Sequence, residues 1–121
     1  MTDQILHITT AAAWQDALEM GRYEPDSLSD EGFIHCSDSS QILRVANTFY
    51  RNQRGLILLV IDPARLTCKM KWEPPAEPRP AGVSSEERFP HLYGPLNLSA
   101  VVRTLGIEPD AGGEFHKVPD L

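Results

Sequence analysis

An α+β fold is what this chain predicts, and two features carry that expectation. Segments of strand and helix period alternate in the first half, whereas strand patterns follow one another in the second. That ordering favours segregated sheets and helices over a doubly wound parallel sheet. The length, 121 residues, fits a single domain spanning 1–121 with one core of its own.

Gln4 to Ile8 (QILHI) is apolar and branched, which predicts a first strand. Thr9 or Thr10 can cap the helix that follows, where Trp14, Ala17 and Leu18 fall at helical spacing until Gly21 ends the run. Tyr23 to Glu31 (YEPDSLSDE) is turn chemistry, because Pro, Ser and Asp favour local backbone bonding. Gly32 to Ser37 (GFIHCS) predicts a short strand. Asp38 with Gln41 three residues later resembles a capping box, and Ile42, Val45, Ala46 and Phe49 behind it form the clearest amphipathic helix pattern in the chain.

Leu56 to Ile61 (LILLVI) is continuously apolar, the mark of a strand buried on both faces, and Asp62-Pro63 ends it. From Leu66 the pattern alternates. Leu66, Cys68, Met70 and Trp72 face one way, and Thr67, Lys69, Lys71 and Glu73 the other. Pro74 to Arg88 has no periodicity and is rich in Pro and charge, which predicts a long loop of the kind that closes over a ligand. Phe89 to Leu96 (FPHLYGPL) predicts a strand pinned between prolines. Val101 to Ile107 predicts another, with a short helix from Ser99 as the alternative, and Gly113 to His116 a last edge strand.

Composition excludes several functions. The net charge is −6 with Lys and Arg scattered, so the basic stripe that duplex or long RNA requires is missing and no nucleic-acid partner is expected. A small phosphorylated ligand needs only a few donors and stays open. No apolar run approaches the length that spans a bilayer, so no membrane partner is expected. Met1-Thr2-Asp3-Gln4 has neither the basic nor the apolar region of a signal peptide, which predicts a cytoplasmic protein. Cys36 and Cys68 are too few for a disulfide scaffold and are expected as free thiols. Oligomeric state is not legible.

The residues that could carry chemistry follow one pattern. His7-Ile8-Thr9, His35-Cys36-Ser37 and His91-Leu92-Tyr93 each put a histidine and a hydroxyl two residues apart, hence on one face of a strand, with an apolar residue turned to the core. Were the three strands neighbours, these side chains would line one concave surface rich in donors and acceptors but uncharged at neutral pH. Such a surface suits a sugar, amide or phosphate. Taken singly, a strand histidine is more often structural than functional, and Thr9 and Ser37 each have a capping role available. Tyr93 could simply pack, Glu73 could be a solvated strand-end charge, and His116 reads as surface. No Walker loop, dinucleotide fingerprint, HExxH or GxSxG motif occurs. A metal site built from three widely separated histidines has no close pair to nucleate it, so no metal is expected.

The segments LHITTAAAW, GFIHCSDSSQ, LILLVID, KWE and FPHLYGPL, in this order, resemble the bacterial family called domain of unknown function 952, from about Leu6 to about Ile107. That family is similar in fold to the ADP-ribosyltransferase superfamily. The resemblance implies two small, mostly antiparallel sheets packed with two main helices around a cleft that holds NAD, as substrate, or a related nucleotide or sugar-phosphate. By position it implies that His7 is the first-strand residue of the site, His35 with Ser37 the second, and His91 or Tyr93 the third. With the neighbouring Thr9 and Glu73 added from the residue pattern, ligand-binding roles are expected for His7, Thr9, His35, Ser37 and Tyr93, and catalytic roles for His35, His91 and Glu73. Many active transferases carry a glutamate on the late strand where this chain offers His91, which leaves Glu73 as the carboxylate for the reaction. The implied chemistry is transfer of ADP-ribose. The alternatives are a small-ligand-binding module without catalysis and a metal-assisted hydrolase.

Overall fold

A computed structural model describes residues 4–80 and 82–118. Residues 1–3, from which the absence of a leader was read, lie outside them. The first sheet joins β1 (Ile5–Thr10), β4 (Leu56–Ile61) and β8 (Val101–Ile107), with β4 in the middle and both pairings antiparallel. β4 is central because its unbroken apolar run tolerates burial on both faces, as the sequence predicts. Period two then sorts the side chains. Ile5, Leu59 and Ile61 enter one apolar cluster, and Leu6, Ile8, Leu56, Leu58 and Val60 enter the other.

Helix α1 (Ala11–Met20) is capped by Thr10, whose hydroxyl accepts from Ala13 N at 3.0 Å. It ends at Gly21, whose φ of 90° is the left-handed cap conformation glycine adopts without strain. Ala17 is its buried residue, while Leu18 is turned outward. Helix α3 (Ile42–Phe49) packs Ile42 and Ala46 on the even face of the first sheet. Its entry is the reciprocal box read from the sequence: Gln41 N donates to Asp38 Oδ1 and Asp38 N to Gln41 Oε1, each at 3.0 Å.

Facing the odd side of the first sheet is a second three-stranded sheet, β3 (Ile34–His35), β6 (Phe89–Tyr93) and β5 (Lys69–Glu73), in the order β3-β6-β5. Ile34, Leu92 and Met70 lie opposite one another and join Ile5, Leu59 and Ile61 in the shared core. Their alternates, His35, His91 and Lys71, therefore share the other face. A two-residue ribbon, β2 (Arg22–Tyr23) with β7 (Leu96–Asn97), closes one end.

Four expectations are corrected. The described residues form three antiparallel sheets, not two. The segment read as turn holds β2 and a short helix α2 (Asp26–Asp30), because Tyr23 finds a strand partner in Leu96, a long-range contact that composition does not disclose. The strand from Phe89 breaks at Gly94, where Cys68 crowds the chain so closely that a Cβ would stand 2.9 Å from Cys68 Cβ. Gly113 to His116 is not a strand. Asp110 Oδ1 accepts from Gly112 N at 2.8 Å and Glu114 N at 3.0 Å, closing a turn, and the Asn47 side chain supplies what a neighbouring strand would have, bonding Phe115 N at 2.7 Å and O at 2.8 Å. Val101–Ile107 is a strand, so the helical alternative from Ser99 shrinks to a single 3₁₀ turn over Leu98–Ala100.

Candidate functional site

The two sheets are stitched by one antiparallel bridge. Leu6 N donates to Ser37 O at 2.7 Å and Ser37 N to Leu6 O at 2.8 Å, so the end of β3 lies against β1. That bridge carries His35 to His7. The β3–β6 pairing places His35 directly opposite His91, with ring centroids 5.7 Å apart. All three imidazoles, with Thr9 and Ser37, line a cavity of about 890 Å³.

His7 is buried and spoken for at both ring nitrogens. Its Nδ1 lies 2.5 Å from His35 O, and since a carbonyl only accepts, Nδ1 carries the proton. Burial pushes its pKa down to about 4, so at neutral pH Nε2 is a lone pair that accepts from the Tyr23 hydroxyl at 2.7 Å. Thr9 Oγ1 lies 3.1 Å from the same hydroxyl. Thr9 thus belongs to this buried chain of hydrogen bonds, and Thr10 takes the capping role. With desolvation outweighing the Thr9 hydrogen bond, the Tyr23 pKa rises to about 12, which keeps the phenol protonated.

His91 is the contrasting case. Its Nδ1 lies 2.9 Å from Glu73 Oε1, and the Tyr93 hydroxyl donates to the same oxygen. Hydrogen bonds from Tyr93 and His91 hold the Glu73 carboxyl below its ordinary pKa, so it is ionised and Nδ1 must donate. Burial lowers the His91 pKa against the opposing pull of Glu73, so the ring is neutral at neutral pH. Its Nε2 has no hydrogen-bond partner among the described residues. A carboxylate-oriented imidazole with one open nitrogen on a cavity wall can accept a proton from a bound group. Phe33 stacks on this ring, centroids 4.1 Å apart and planes 24° apart, and fixes its tilt.

His35 is half-exposed, and its Nε2 bonds Glu31 Oε2 at 2.7 Å. Ser37 is buried, and its hydroxyl has no partner among the described residues. Glu73 and Tyr93 do not line the cavity; they reach it through His91. The structure thus brings His7, Thr9, His35, Ser37 and His91 together at the wall and places Glu73 and Tyr93 behind it. Three contributors escaped the sequence reading: Tyr23, Glu31 and Phe33. Only Glu31 left a signal, its i, i+4 spacing from His35.

The loop from Pro74 to Arg88 forms part of the same wall through Pro75, Ala76, Glu77, Pro78 and Pro80. It is tied down by α3 and its cap. Arg44 holds Glu87 with both terminal guanidinium nitrogens, at 2.9 and 2.6 Å, and Gln41 Nε2 donates to Glu87 Oε2 at 3.0 Å and Arg88 O at 2.7 Å. Among the described residues, the group whose ligand atoms lie within 4.8 Å of one another is Asp110, Glu114 and His116, away from the cavity. No helix of the described residues is long and apolar enough to cross a membrane.

A family model described as a protein of unknown function (DUF952) matches residues 8–104. Three solved structures of protein CC0527 from Caulobacter crescentus are similar over nearly the whole chain. Its crystal structure is 34% identical with a TM-score of 0.77, covering 93% of each chain. A double mutant of it gives 33% and 0.77 over the same shares, and the solution structure 33% and 0.75, covering 93% of this chain and 91% of that one. No curated protein matches.

Proposed function

The chain belongs to the DUF952 family of proteins of unknown function, and on that premise we propose that the histidine cavity binds NAD or a related ribonucleotide and cleaves its N-glycosidic bond in an ADP-ribosyltransferase-like reaction. One observation carries the reading: His91, oriented by Glu73 at 2.9 Å, has an Nε2 without a hydrogen-bond partner among the described residues and shares a cavity wall with His35, Ser37 and Thr9. The ribose is held by the hydroxyls and by His35. The bond from ribose C1′ to the nicotinamide nitrogen breaks, and its electron pair leaves with nicotinamide, which becomes neutral. Water or an acceptor hydroxyl forms the new C1′–O bond, and its proton passes to His91 Nε2.

The transition state is cationic at the sugar, so negative charge nearby lowers the barrier. Glu31, on the cavity wall beside His35, supplies it, while Glu73 acts as the residue that orients His91. His7 does not move a proton. Its neutral ring, locked between Tyr23 and the His35 carbonyl, keeps the His35 backbone in place.

The second reading is a ligand-binding module without catalysis. The position of Glu73 behind the wall favours it, since the wall then lacks the late-strand carboxylate that many transferases have. Incubation with NAD followed by chromatography for nicotinamide separates the two. Release by wild type that is abolished in His91→Gln supports transfer. Absence of release, with ligand-dependent shifts of the His35 and His91 imidazole signals, supports the module. Absence of both overturns NAD as the ligand of the site.

A further inference from the structure

The charge on the cavity wall narrows the ligand further. Asp16, Glu24, Asp26, Glu31 and Glu77 line it, and Arg22 is the one lining guanidinium among the described residues. Arg22 is itself engaged by Glu24. Two of the three lining imidazoles add no positive charge to offset this. His7 and His91 are held neutral by burial, and His35 is bonded to Glu31. A pyrophosphate needs cations or a run of backbone N–H groups, and would bring two negative charges into a field of the same sign. The same wall carries flat aromatic surface. Phe49 is exposed, Tyr50 half-buried, and both line the cavity with Phe89. A cavity that combines aromatic faces with carboxylates offers the surroundings an organic cation favours. Ser37, buried on this wall with its hydroxyl unpartnered among the described residues, offers a donor and acceptor to a sugar hydroxyl.

We infer that the preferred ligand is a ribosylated heteroaromatic cation without a pyrophosphate, of the nicotinamide riboside type, and that the cavity discriminates against the dinucleotide. The inference rests on the ribosyl-binding reading above and deepens it. The riboside carries one net positive charge, whereas its 5′-monophosphate and NAD each carry about one net negative charge near neutral pH, which reverses that advantage. Discrimination is therefore electrostatic and weakens as salt screens the wall.

Thermal stabilisation and calorimetric titration of the purified protein with nicotinamide riboside, its 5′-monophosphate, NAD and the uncharged nucleoside inosine test this at low and high salt. The expected order is riboside first, with the monophosphate and NAD both behind it, and the riboside ahead of NAD by about tenfold or more at low ionic strength. That gap should narrow at high salt and in the surface-charge variant Asp26→Asn/Glu77→Gln. NAD binding as tightly as the riboside, or inosine binding as tightly, overturns the charge selection while leaving a ribosyl site standing. Failure of all four to stabilise the protein or to titrate overturns the ribosyl reading as well.

Discussion

The two three-stranded sheets have the same strand number and the same antiparallel sense, yet they are built from opposite materials. In the first, β4 makes six-residue pairings on both sides and contributes to two apolar clusters, one on each face. In the second, β3 pairs with β6 over two residues, and only the face carrying Ile34, Leu92 and Met70 joins a core. The other face carries His35, His91 and Lys71, with Glu73 and Tyr93 around them. One sheet supplies folding energy, and the other spends its outer face on polar side chains that it can hold in place because its inner face is anchored. The histidines divide along the same line. His7, on the first sheet, is sealed and neutral, whereas His91, on the second, keeps a nitrogen open.

Breaking the first sheet should have the largest effect. Leu59 is fully buried at the centre of β4, and Leu59→Ala is expected to cost about 2–5 kcal/mol through lost burial and the cavity left behind. A urea midpoint lowered accordingly, at an unchanged slope, checks it.

Next is the pH dependence that His7 builds in. The unfolded imidazole takes its proton near 6.5 and the folded one near 4, so between those values the unfolded state holds more protons. Stability from this group is complete above about pH 6.5 and falls by roughly 3 kcal/mol on the way to pH 4. His7→Gln should be less stable at pH 7, because the His35 carbonyl and Tyr23 hydroxyl lose a well-placed partner, but its stability should decline far less between those two pH values. Denaturation curves of both proteins across the range test the sign. A wild type that holds its stability to pH 4 would mean that His7 is not sealed.

The second sheet should respond in the opposite way. Glu73→Gln removes a surface carboxylate that raises the His91 pKa, so the urea midpoint should stay near wild type while His91 titrates lower still. If His91 is the base, the acidic limb of the pH–rate profile moves to lower pH and the rate falls, a change a merely structural residue would not produce.

Much of this contrast was legible in the sequence. LILLVI is apolar at every position and lies where a central strand must. His35 and Ser37, spaced by two, share a face, as do His7 and Thr9. Asp38 and Gln41 form the box their spacing suggests, with the helix beginning directly after it. What could not be read was convergence. Tyr23 reaches His7 only because α1 turns the chain back beside β1, and Phe33 stacks on a ring 58 positions further along the chain (residues 33 and 91). Glu87 binds Arg44 across a loop that has no pattern of its own. Period and capping are local properties, whereas these contacts depend on the Leu6–Ser37 bridge and the β3–β6 pairing, which no window of sequence contains. The last segment misled for a related reason: Asn47, on α3, satisfies the Phe115 backbone that would otherwise have sought a strand.

The most direct measurement follows the four imidazoles by nitrogen-detected NMR while nicotinamide riboside is added. The expected result is movement of His35 and His91, a His7 ring that stays neutral with its proton on Nδ1, and no response from His116, which lies outside the cavity. If His35 and His91 stay still at saturating ligand, or move no more than His116, the three histidines do not form one binding site.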